Sequence, residues 1–110
     1  MERKKALAEW LEGMGECVAW LSPTTSERPI PLADATNAKM MGSFTHIANF
    51  LGLCAISVPT GPMEGSINEG ALPTSLQITC KGGDEAMALR IAKAYESARG
   101  PLAQPPYFAL

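Results

Sequence analysis

A chain of 110 residues, nine basic and eleven acidic, has room for one domain at most and carries a formal charge of −2. That balance excludes a nucleic-acid surface, which needs a basic patch, and no apolar run approaches the roughly 20 residues that span a bilayer. Charged residues make up only 18% of the chain, against about 25% in ordinary domains; this is either normal variation or a sign that some apolar surface belongs against further structure.

In chain order, Leu7, Trp10, Leu11 and Met14 repeat at helical spacing, and Gly13 and Gly15 act as a stop, which predicts a helix over 3–13. A short strand follows over 17–21, ended by Pro23, which has no amide to donate. Residues 22–36, rich in proline and small polar side chains, read as a loop. Met40, Met41, Phe44, Ile47, Ala48 and Leu51 return to helical spacing, with Gly52 placed for a left-handed cap. The stripe of Phe44, Ile47 and Leu51 is expected to pack on the strand of residues 55–58, closed by Pro59. Residues 59–73 read as a loop with its tip at 66–69, and Leu76 to Cys80 as a strand with one wetter face. Gly82 and Gly83 turn the chain into a last helix. Asp84 is its cap, Glu85 suits its positive end, and Met87, Ile91, Ala94, Tyr95 and Ala98 form its buried stripe, with Gly100-Pro101 as the stop. Residues 102–110, with two prolines and no period, read as an extended or mobile tail. The order helix, strand, helix, strand, strand, helix implies α/β layering in a single segment spanning 1–110.

Three pieces of this order carry a family resemblance: the run Phe44-Thr-His-Ile-Ala-Asn-Phe-Leu-Gly through Val58-Pro-Thr-Gly61, then Leu72-Pro-Thr-Ser-Leu-Gln-Ile78, then Asp84-Glu-Ala86 opening a run that closes with Ala94-Tyr-Glu96. Val18-Ala-Trp-Leu-Ser-Pro-Thr-Thr25 fits upstream. In that order and spacing they resemble the C-terminal end of the amidase signature family, over roughly Ala6 to Arg99. The resemblance implies that these elements are a fragment of one end of a large mixed β-sheet flanked by helices. It also implies a parent reaction, hydrolysis of carboxylic acid amides by a Ser–cis-Ser–Lys triad on a Gly- and Ser-rich stretch. Here the serines are scattered, none in a Gly-Ser-Ser-Gly setting, so no catalytic residue is assigned and the chain alone is expected to be inactive.

By the resemblance, Phe44, Thr45 and Asn49 lie near the acyl pocket and help bind the substrate; from the residues alone, Phe44 equally suits a core and Asn49 a bond to nearby backbone. In the tRNA amidotransferase branch an acidic residue is expected just ahead of this helix. Gly42 stands there, which favours a general amidase. His46, the single histidine, reads as structural or surface, and Cys54 as an inert buried thiol in place of a nucleophile. Lys81-Gly-Gly-Asp84 lacks the full phosphate-loop pattern and reads as a strand-to-helix turn. No metal or cofactor is expected, because a lone histidine and three cysteines without ligand spacing build no such site. The odd cysteine count, with no Cys-x-x-Cys and no apolar signal segment at the N-terminus, suggests reduced thiols in a cytoplasmic protein. The expected partners are an upstream amidase segment or a second copy, with a small amide substrate only in the full enzyme. The alternatives are a non-catalytic module of a split amidase and a remnant gene product.

Overall fold

The computed structural model describes residues 2–25, 30, 32–37, 44–63 and 72–102. Met40, Met41, the tip at 66–69 and all of the expected tail except Leu102 lie outside the described residues. Helix α1 spans Arg3–Met14, strand β1 Trp20–Pro23, a 3-10 stretch Leu32–Asn37, helix α2 His46–Leu51, strand β2 Cys54–Met63, strand β3 Leu72–Cys80 and helix α3 Glu85–Arg99. The α/β order expected from the sequence therefore holds. The strands form one sheet in the order β1-β3-β2. Both pairings are antiparallel, so the mixed character expected of a larger sheet does not arise within these three strands.

Strand boundaries depart from the sequence reading, and for one reason. Proline is barred only where its missing amide faces a partner. Pro23 is the last residue of an outer strand, opposite Leu76, so β1 runs later than 17–21. Cys17 instead closes a turn on α1, its amide donating to the Met14 carbonyl at 2.9 Å. Pro59 and Pro62 lie on β2, the other outer strand, and Pro73 lies on β3 beyond the last residue that β1 covers. Pairing therefore continues to Met63↔Leu72, well into the predicted 59–73 loop. A register shift between Pro59 and Gly61 marks a bulge. The Thr60 and Thr74 hydroxyls meet across it at 2.6 Å, and Thr74 Oγ1 donates to the Gly61 carbonyl at 3.0 Å, so side chains supply hydrogen bonds where the ladder is interrupted.

Strand alternation sends Cys54, Ile56 and Val58 to one face with Leu76, Ile78 and Cys80. Helix α3 covers that face. Its buried residues are Ala88 and Ala92, flanked by half-buried Met87, Ile91 and Tyr95, while Ala94 and Ala98, expected inside, are exposed. The two alanines, one helical turn apart, bring the helix close to the sheet, and the larger side chains spread to either side. Asp84 occupies the cap position without a side-chain cap bond; its carbonyl accepts from the Met87 and Ala88 amides. At the far end the Arg99 guanidinium donates to the Pro59 carbonyl, tying α3 to the edge strand.

Helix α2 does not lie on Ile56–Val58, because α3 occupies that face. Its packing neighbour is α1. Ala48 and Leu51 are its buried residues; Ile47 is half-buried. Gly52 caps it at φ 69°, the left-handed position the sequence suggested. The β3–α3 turn backs onto this cap so closely that a Cβ on Gly82 would sit 2.6 Å from the Gly52 carbonyl oxygen. Trp10 of α1 meets Trp20 of β1 edge-on, with centroids 6.2 Å apart. Among the described residues no helix is long and apolar enough to cross a membrane.

Candidate functional site

The second face of the sheet is polar, and register assembles it. Ser22 stands opposite Gln77, and Gln77 opposite Ser57, so one row across β1, β3 and β2 reads Ser-Gln-Ser. The next row places Trp20, Thr79 and Ala55 side by side. This face is not the wetter one expected of β3. Gln77 is 4% exposed and Thr79 1%, so both side chains must find partners inside the protein. Gln77 Nε2 donates to the Phe44 carbonyl at 2.7 Å and to Thr79 Oγ1 at 3.3 Å. Beyond the row the chain folds over the sheet: the Thr24 amide donates to the Ser75 carbonyl at 3.3 Å, and the Thr24 and Ser57 hydroxyls meet at 2.7 Å.

Phe44 and Thr45 form the turn that enters α2, and Asn49 sits one turn into it. Phe44 and Thr45 are half-buried, and Asn49 is exposed. The structure thus brings the segment holding all three onto the polar face, with Gln77 as the anchor through the Phe44 main chain. Sequence reasoning passed over Gln77, Ser22 and Ser57. The available signal was the polar residue at every second position of Leu76-Gln-Ile-Thr-Cys80, which marks a face but does not say that it is covered.

The chemistry of this row is that of neutral donors and acceptors. It can hold and orient an amide or carbonyl group; Ser22, Gln77 and Ser57 do not ionise in the ordinary pH range. His46 is exposed on α2 and stacks on Phe50, with ring centroids 6.0 Å apart. Cys54 is half-buried, not buried, and its thiol donates to the Lys81 carbonyl at 3.4 Å. Lys81 to Asp84 form the expected turn, the Asp84 amide donating to the Lys81 carbonyl at 3.1 Å. No group of three or more metal-binding side chains occurs among the described residues. An open groove beside the end of α1, lined by Trp10, Met14, Val18, Lys81 and Asp84 among others, includes none of the candidate residues.

No family model matches the chain. Two curated proteins resemble it, both A-type subunits of glutamyl-tRNA(Gln) amidotransferase. The one from Myxococcus xanthus (strain DK1622) is 38% identical over 85 residues, which is 71% of this chain and 16% of that protein. The one from Hyphomonas neptunium (strain ATCC 15444) is 29% identical over 107 residues, 94% of this chain and 21% of that protein. The chain therefore spans about a fifth or less of the length of these relatives.

Proposed function

From its homology to a short part of these amidotransferase subunits, which are amidase-signature proteins, we propose that the chain is the C-terminal portion of an amidase-signature hydrolase acting on carboxylic acid amides. In this reading it completes the sheet and supplies one wall of the substrate pocket, and the Ser–cis-Ser–Lys triad stands on another stretch of polypeptide. The nucleophilic serine attacks the amide carbon, the bridging serine passes the proton to the leaving amine, and backbone amides hold the oxyanion. Phe44, Thr45 and Asn49 shape the acyl side of the pocket, and Gln77 keeps their segment in place. The observation that carries the proposal is the homology across 71% of the chain at 38% identity. Both relatives belong to amidotransferases, whereas Gly42, outside the described residues, favours a general amidase, so the amide substrate is left at the level of its class. The unpaired cysteines fit a cytoplasmic setting.

The test is turnover of simple aliphatic and aromatic amides by the purified chain, alone and with the upstream part of such an enzyme. Activity is expected only in the combination. Turnover by the chain alone that Ser57→Ala abolishes would refute the assignment.

A second reading, a non-catalytic module that pairs with the rest of a split amidase or with itself, is favoured by the sheet's margins. The ten-residue β2 is an outer strand, and Leu21 on β1 is 54% exposed on the α3 side. Open edges and exposed apolar side chains promote association. Light scattering with dye binding is expected to show self-association or an open apolar surface. A monodisperse monomer that binds no dye would remove this reading.

A further inference from the structure

We propose that Cys54 and Cys80 are a cross-strand dithiol that closes reversibly to a disulfide when the protein meets a peroxide or a small-molecule disulfide. The two residues are register partners at the end of the β2–β3 ladder. Directly opposed residues of an antiparallel pair have Cα atoms about 4.5 or 5.5 Å apart, according to their place in the hydrogen-bond pattern, and both values fall inside the roughly 4.4–6.8 Å that a disulfide spans. Both side chains point to the α3 face, in one packed cluster with Ala88 and Ala92. Burial, the largest cause, and the neighbouring Cys54 and Asp84 raise the Cys80 thiol above its ordinary value.

The two thiols differ in access, which sets the order of events. Cys54 is half-buried on the outer strand, whereas Cys80 is 0% exposed on the central one. Cys54 therefore meets the oxidant. Its thiolate attacks one peroxide oxygen, the O–O bond breaks, and a sulfenic acid forms as hydroxide leaves and is protonated to water. The Cys80 sulfur then attacks the Cys54 sulfur, the S–O bond breaks, and the departing hydroxide takes the Cys80 proton as a second water. Two thiols lose two electrons and one peroxide gains them. Two equivalents of a thiol such as glutathione reverse the step and leave as their own disulfide. Closure removes the Cys54 Sγ–Lys81 carbonyl bond and covalently joins the strand that follows the α2 cap to the strand that leads into α3. The dithiol lies on the opposite face from the Ser22-Gln77-Ser57 row, so it acts on the frame of the sheet and not on the candidate pocket.

The test uses the full chain with hydrogen peroxide, and separately with oxidised glutathione, followed by alkylation of free thiols and peptide mapping without reductant. The expected result is an intramolecular Cys54–Cys80 link, with Cys17 still alkylated and all three thiols recovered after reduction. Because folding holds the sulfurs together, the link is expected to form about tenfold faster or more in buffer than in denaturant. A link that includes Cys17, oxidation that yields only intermolecular dimers, or equal rates with and without denaturant would overturn the proposal. Mapping the unmodified chain keeps the test independent of how any cysteine variant folds.

Discussion

Replacing Gln77 with leucine is the sharpest test of how the candidate pocket wall is held. Gln77 is 4% exposed, and its Nε2 donates at 2.7 Å to the Phe44 carbonyl and at 3.3 Å to Thr79 Oγ1. Leucine preserves bulk and removes both donors. A neutral hydrogen bond contributes about 0.5–1.5 kcal/mol net, and a buried acceptor left unpaired costs about 1–3 kcal/mol. Phe44 is half-buried, so water partly replaces the lost donor. The expected cost is therefore near 2 kcal/mol, a factor of up to about 30 in the folded-to-unfolded ratio. Urea unfolding followed by far-ultraviolet circular dichroism is expected to show a lower midpoint at unchanged slope. Hydrogen exchange adds a local readout: amides of α2 are expected to lose protection more than those of α3, because Gln77 holds the segment that leads into α2. Ser57→Ala, which removes an exposed hydroxyl contact, is the comparison and is expected to cost no more than about 0.5 kcal/mol. A Gln77→Leu protein as stable as the parent, or one that keeps α2 protection, would refute the anchoring role.

Ile78 is fully buried at the centre of β3, so Ile78→Ala is expected to cost about 2–5 kcal/mol, whereas Ile91→Ala, half-buried at the flank of α3, should cost less than about 2 kcal/mol. Equal costs in denaturant unfolding would mean that α3 does not meet the sheet along Ala88 and Ala92. Burial, with the neighbouring Cys54 and Asp84, raises the Cys80 thiol above its ordinary value of 9.0. Its contribution is thus fully present below that pH and is lost as pH climbs towards the folded-state value, where the unfolded chain has already released the proton. Stability measured under reducing conditions should therefore fall above about pH 9, and Cys80→Ala should flatten that fall; an unchanged pH profile in the variant would refute the assignment.

The residues of α3 state their own helix: an acidic first turn, an arginine in the last, and Gly100 with Pro101 as the stop, all of them short-range features. Gly52 likewise announces the left-handed cap it adopts. The ordered family resemblance was also legible, because it rests on short motifs at set spacings. Strand length was not, since a proline's effect depends on whether its missing amide faces a neighbour. That is decided by β1 and β2 being outer strands and by β1 ending before it reaches Pro73. Tertiary structure also decided which part of α3 is inside, because the alanines, not the largest apolar side chains, permit the closest approach to the sheet. The same holds for the candidate site. Phe44, Thr45 and Asn49 are near neighbours along the chain, but Ser22, Gln77 and Ser57 are separated by long stretches of it. Only the antiparallel register, which fixes which residues share a row and a face, places them side by side beneath the Phe44 turn.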